Sequence, residues 1–240
     1  MAIPQIIHQT YSSGIDLPEG LRRNMEFLRQ MNPGWKYVFY DDDAVIAFIK
    51  ANYEPGILAT YLRINPVYGA ARADLFRYLV MFRVGGVYFD IKSHASQPLD
   101  QIVHASDRYV LAHWPNQPGQ DFEGWGIHPE LVGYQKGEFQ NWHICAEPGH
   151  PFLRNVLAHV MSNIRNYDVA THGVGQMGVL RTTGPIAYTQ AIGPLLPSEP
   201  HRLAGTHADL NLRYSIYGGV SHRNVIQQHY IARQEPVVLA

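Results

Sequence analysis

The chain has 240 residues, 46% of them hydrophobic and 12% aromatic, enough for one substantial core and too few for several large domains. Its 19 basic and 20 acidic residues leave a net charge of −1, so no broad field favours nucleic acid or an anionic membrane, and any anion site has to be local. A single cysteine, Cys145, excludes an internal disulfide and a cysteine-built zinc centre and fits a reducing compartment.

Residues 3–11 form an apolar run ending in polar residues, which predicts a buried first strand leading into the loop Ser12-Ser13-Gly14. Leu21, Met25 and Leu28 recur at helical spacing over residues 21–31, and Asn32-Pro33-Gly34 stops that helix. Residues 35–40 are aromatic and β-branched, a second strand. An aspartate of Asp41-Asp42-Asp43 caps a helix over 44–51 by accepting its free amide hydrogens. Strand, helix, strand, helix in this order argues for an α/β sheet with parallel strands. Residues 52–66, rich in turn formers and tyrosines, give no clear assignment.

Tyr68, Ala71, Leu75, Leu79 and Phe82 then mark the buried face of a helix, while Asp74 and Arg77, three apart, share another face. Gly85-Gly86 ends it through a left-handed turn, and residues 87–89 make the next strand, with Asp90 at its tip. Residues 109–113 predict a further strand and 151–165 a helix with proline in its first turn. The glycine- and proline-rich segments 114–126 and 173–200 predict loops or small inserts over the sheet. No apolar run approaches the roughly 20 residues that span a bilayer, and no basic region followed by a long apolar stretch opens the chain. A cytoplasmic protein is expected, with peripheral docking at the inner membrane face compatible with a few surface aromatics.

Ligands of open α/β sheets bind outside the carboxyl ends of the strands, so Tyr11, residues 40–43 and residues 90–93 should converge on one rim. Asp90 is placed to meet a ligand there. The plainer alternatives are that Asp90 caps a turn or pairs with an arginine, and that Asp74 and Arg77 form an intrahelical ion pair. The thirteen histidines show no tight metal-ligand spacing and read mostly as surface or satisfied core residues.

Four segments carry a resemblance: Ile3-Pro4-Gln5-Ile6-Ile7-His8-Gln9-Thr10, Asn32-Pro33-Gly34-Trp35, Ala70-Ala71-Arg72-Ala73-Asp74-Leu75-Phe76-Arg77-Tyr78 and Gly85-Gly86-Val87-Tyr88-Phe89-Asp90. In order and spacing they resemble glycosyltransferase family 32, which includes fungal and bacterial mannosyl-, galactosyl- and glucosyltransferases and is distantly similar to the glucosylating domains of clostridial toxins. Pro148-Gly149-His150-Pro151-Phe152 and Thr183-Gly184-Pro185 extend the likeness. The resemblance implies a GT-A-like, Rossmann-type α/β sheet with flanking helices and loop inserts, as one domain over 1–240. Residues 1–113 would be the nucleotide-sugar-binding half and 114–240 the acceptor-side and closing segments. It also implies transfer of a hexose, with retention, from a UDP-hexose or GDP-mannose donor to a glycan or glycolipid acceptor, as in surface polysaccharide synthesis.

Residue by residue, the resemblance puts Tyr11, with Thr10, at the donor base, Asp74 and Arg77 at the donor sugar hydroxyls, Asn141 near the sugar, and His222 in a closing C-terminal segment. Asp90 matches the first aspartate of the family's Asp-x-Asp metal motif, with a nucleotide-binding and catalytic role. Here the motif reads Asp90-Ile91-Lys92, so a cation stands where a second carboxylate would help hold manganese or magnesium. Either Lys92 itself neutralises the diphosphate, with Asp90 and Arg77 completing the catalytic set, or Lys92 points away and a weakened metal site uses Asp90 with His222 or Asn224. Loss of catalysis, leaving a nucleotide-sugar- or carbohydrate-binding protein, is the alternative of another class. A glycoside hydrolase lacks its acid pair, and a dehydrogenase lacks Gly-x-Gly-x-x-Gly after the first strand.

Overall fold

The computed structural model describes residues 3–14, 16–217 and 230–240. Strands β1 (Ile6–Thr10), β2 (Lys36–Tyr40) and β3 (Gly86–Phe89) alternate with helices α1 (Glu19–Met31), α2 (Asp42–Asn52), α3 (Pro55–Arg63) and α4 (Gly69–Val84). A two-residue strand β4 (His94–Ala95), helix α5 (Leu99–Ile102), β5 (Tyr109–His113) and β6 (His143–Ala146) follow. Helices α6 (Pro151–Arg165), α7 (Val169–His172), α8 (Gly175–Thr182) and α9 (Pro185–Ile192) lead to β7 (Arg202–Gly205) and β8 (Leu212–Arg213).

Six strands form one sheet in the order β2-β1-β3-β6-β5-β7. β1 pairs in parallel with β2 and β3, and β5 with β7, while β6 runs antiparallel to both its neighbours. The expected parallel sheet is therefore a mostly parallel one with a single reversed strand. The period-2 alternation of the sheet separates two cores. Tyr88, Ile144 and Ala146 face a layer with Leu75, Leu79, Phe152 and Val156, whereas Val87, Phe89 and Cys145 face Leu28, Leu99 and Ile102.

Most expected elements sit within a residue or two of their predicted bounds. Asp41 caps α2, accepting from the Ala44 amide at 2.8 Å. Gly85 and Gly86 take positive φ of 69° and 107° at the end of α4. The first strand is shorter than predicted and starts at Ile6, because Pro4 accepts a hydrogen bond from the Ile6 amide in a turn. Residues 52–66, unassigned from sequence, hold α3, with Pro55 at its first turn. Residues 173–200 are a correction: they hold α8 and α9 rather than loops. Their glycines and Pro185 stand at helix starts and close contacts; a Cβ on Gly178 would meet the Gly173 carbonyl at 2.7 Å. Among the described residues no helix is long and apolar enough to cross a membrane.

Candidate functional site

The carboxyl ends of β1, β2 and β3 converge, as their parallel pairing requires. The Tyr11 amide donates to the Tyr40 carbonyl at 3.1 Å, and the Thr10 hydroxyl donates to the same oxygen at 2.8 Å. Above this rim lies a cavity of about 680 Å³ lined by Thr10, Tyr11, Asp74, Arg77, Asp90, Lys92 and Asn141 among others. All the sequence-selected residues that the structure describes are thus brought to one cavity. His222, with Asn224, lies outside the described residues.

The centre is the Asp90 carboxylate. Arg77 donates to its Oδ1 at 2.8 Å and Lys92 to its Oδ2 at 2.7 Å. Lys92 reaches back because residues 90–93 turn tightly: the Ser93 amide donates to the Asp90 carbonyl, and Asn24 of α1 clamps the carbonyls of Ile91 and Ser93. The ammonium also lies 4.4 Å from the centroid of the Tyr214 ring. Lys92 does not point away from the strand tip: its ammonium is paired with the Asp90 carboxylate. Burial works against the charges of Lys92 and Arg77, yet Asp90 together with the neighbouring groups, Tyr88 and Asp74 at Arg77 and Tyr214 at Lys92, outweighs it, and both hold their protons more firmly than usual.

Arg77 ties three parts of the chain together. Besides Asp90 it donates to the Asn141 carbonyl at 2.6 Å, lies 3.3 Å from Asp74 and stacks over the Tyr88 ring at 4.9 Å. The expected helical ion pair exists, but it is buried and secondary to the closer pairing with Asp90. Asp74, only 5% exposed, accepts from Asn141 Nδ2 at 3.1 Å and from the Thr183 hydroxyl at 3.0 Å. Burial pushes its carboxyl from 3.8 up to about 6, with Arg77 pulling down and Asp90 pushing up.

Sequence reasoning missed several cavity residues. Thr183 carried only the weak signal of Thr183-Gly184-Pro185, and Glu138, Gln140 and Trp142 line the cavity beside Asn141 from the segment entering β6. Trp142, 3% exposed, both packs in the core and lines the cavity. His8 is a satisfied core histidine: it is buried, bonded to Gly85 and Tyr40, and its pKa is lowered by burial to about 4.

The described residues do not fit a protein-held divalent cation. Both Asp90 oxygens are ion-paired, the partner position is Lys92, and no group of three or more histidine, cysteine or acidic residues that could hold a metal occurs among the described residues.

Residues 18–109 match the family described as a glycosyltransferase sugar-binding region containing a DXD motif. Inositol phosphoceramide mannosyltransferase 3 of Schizosaccharomyces pombe is 27% identical over 185 residues, covering 77% of this chain and 43% of the relative. The initiation-specific alpha-1,6-mannosyltransferase of Candida albicans is 27% identical over 208 residues, 79% of this chain and 52% of the relative. The chain thus spans about half the length, or less, of these curated relatives. Among solved structures, the PaToxG glycosyltransferase superposes with a TM-score of 0.59 at 17% identity, over 82% of this chain and 71% of that one, a likeness of fold. A GT-A-like fold thus surrounds a region similar to the DXD-containing sugar-binding region of glycosyltransferases, with Asp90-Ile91-Lys92 where that region has its motif.

Proposed function

We propose that this chain moves a hexose, mannose by analogy with its relatives' names, from a nucleoside-diphosphate sugar to a glycan or glycolipid acceptor with retention of configuration. The observation that carries the reading is the Arg77-Asp90-Lys92 chain of ion pairs on the wall of the cavity. As the glycosidic bond breaks, negative charge grows on the departing diphosphate. A cation already held in place lowers that barrier without reorganisation. Lys92 takes this role, Asp90 positions it together with Arg77, and Asp74, Arg77 and Asn141 orient the hexose hydroxyls. Tyr11 and Thr10, at the strand ends, receive the base. The acceptor hydroxyl attacks on the face the diphosphate leaves, and its proton passes to a leaving phosphate oxygen. A role in surface polysaccharide or glycolipid synthesis at the inner membrane face accords with this chemistry.

The test is a thermal-shift panel of GDP-mannose, UDP-glucose and UDP-galactose with and without manganese, followed by donor hydrolysis. A ligand selective for the native state raises its melting temperature by mass action. The expected result is a shift for one donor in EDTA, with slow hydrolysis of that donor. No shift with any donor would remove the reading, and a shift without hydrolysis or transfer would leave a binding protein.

A further inference from the structure

The cavity changes character away from Asp90. Trp114, Trp125, Trp142 and Tyr214 wall this end, with ring centroids 5.0 Å apart for Trp114 and Tyr214, 5.3 Å for Trp114 and Trp125, and 5.7 Å for Trp142 and Tyr214. Set among them is one buried carboxyl group. Glu138, 6% exposed, accepts from Trp114 Nε1 at 2.7 Å and pairs with His128 Nε2 at 2.8 Å.

The arrangement is built rather than incidental. The Glu138 amide donates to the Gly126 carbonyl, and Asn116 holds the carbonyls of Trp125 and Lys136, which staples the insert after β5 to the segment entering β6. Gly126 has φ 72°, and a Cβ there would stand 2.7 Å from Glu138 Cγ and 2.8 Å from Trp114 Cδ1. Tyr214 joins the two ends, since its ring lies beneath the Lys92 ammonium and against Trp114.

The charges decide what fits. Arg77 and Lys92 are committed to Asp90, and Arg72 donates to the Ile64 carbonyl, so the arginines and the lysine of the cavity are engaged elsewhere. A buried carboxyl group without an adjacent arginine or lysine disfavours an anion. Aromatic walls with a few fixed polar groups suit a ring that is apolar on its C–H face and hydroxylated at its edge. Resting on the transferase reading, we infer that this end is the acceptor subsite, and that it takes an uncharged polyol ring, a hexose or a cyclitol. The ring stacks on the aromatic box, with its hydroxyls on Glu138 and His128.

Three of the four tryptophans line the cavity, so intrinsic fluorescence reports on it directly. The full chain is titrated with methyl α-D-mannopyranoside, myo-inositol and mannose 6-phosphate, alongside the half-buried Trp125→Ala and the conservative Glu138→Gln. At least one neutral ring should give a saturable change and bind more tightly than the phosphorylated sugar. Either variant should weaken that binding about tenfold, Glu138→Gln by the worth of one charge-assisted hydrogen bond and Trp125→Ala by the loss of a stacking face. With a donor present, the acceptor KM should rise by a similar factor while the donor KM stays put. No saturable change with either neutral ring, tighter binding of mannose 6-phosphate, or parental affinity in both variants overturns the inference. Donor thermal shifts in the unmodified protein are read separately, so failure of the transferase reading is distinguishable from failure of this subsite.

Discussion

Lys92 places its ammonium 2.7 Å from the Asp90 carboxylate, two residues back along the same chain, while Arg77 holds the other oxygen at 2.8 Å. One carboxylate thus carries two cations at the tip of β3. If Lys92 meets the departing diphosphate, Lys92→Ala removes a positioned charge while Arg77 still satisfies Asp90. Turnover should fall about 10²- to 10³-fold, the typical effect of deleting one preorganised donor. Lys92→Asp restores the family's paired carboxylates and should make the residual activity depend on manganese. Initial rates in EDTA and in manganese check both, and full manganese dependence of the unmodified protein would overturn the assignment.

Asp74 titrates where activity can report it. Its carboxyl is raised by burial to about 6, so donor KM should climb as pH falls through that value and the carboxylate is lost as an acceptor of sugar hydroxyls. Asp74→Asn should have a high donor KM with no such inflection. Stability moves the other way. The native state takes up a proton between about 6 and 3.8 that the unfolded chain does not, so this group's penalty is largest above pH 6 and is relieved as pH falls. A shift of this size corresponds to at most ~3 kcal/mol. Asp74→Asn should therefore melt no lower than the parent at pH 7.5, and any advantage should shrink toward pH 5.

Much of this site was legible before any coordinates. Asp74 and Arg77 are neighbours on any helix, and the strand-end rule places Tyr11 and Asp90 on one rim. Thr183 was not legible, because its bond to Asp74 spans 109 residues and leaves no periodic trace. Glu138 is harder still: its partners Trp114 and His128 lie 24 and 10 residues away, within a glycine-rich insert. The reversed direction of β6 was equally hidden, since period-2 alternation specifies a strand's faces and not its sense. Gly175, Gly178 and Pro185 concealed α8 and α9, being residues that stop helices in isolation yet start them or pack them closely here.

Tyr11 stands half exposed on the cavity wall beside Leu17, Leu21 and Ile91. A ring in that place offers a face for a donor base. Removing such a stacking surface costs about 1–3 kcal/mol per base. Tyr11→Ala should raise the Kd of the free nucleoside diphosphate roughly 5- to 150-fold, whereas Tyr11→Phe should leave it near the parental value. Calorimetric titration with GDP and UDP separates the two. Equal affinity in parent and alanine variant would place the base elsewhere.

Gly86 sets the registry on which the site depends. It opens β3 at φ 107°, and a Cβ there would stand 2.4 Å from the Ile6 carbonyl oxygen, a backbone atom of β1 that cannot swing aside. Gly86→Ala must either force β1 and β3 apart or abandon the backbone angle that turns α4 into the sheet. Strain of this kind costs about 1–3 kcal/mol for the dihedral alone, before the steric term is added. The variant should lose at least that much in urea unfolding at an unchanged m-value. Because Asp90 hangs from β3 and Thr10 and Tyr11 from β1, the same shift misaligns the two sides of the donor site. Donor affinity should fall even where the variant is folded, and a Gly86→Ala protein with parental stability and donor binding would mean that the close approach of these strands is not what positions Asp90.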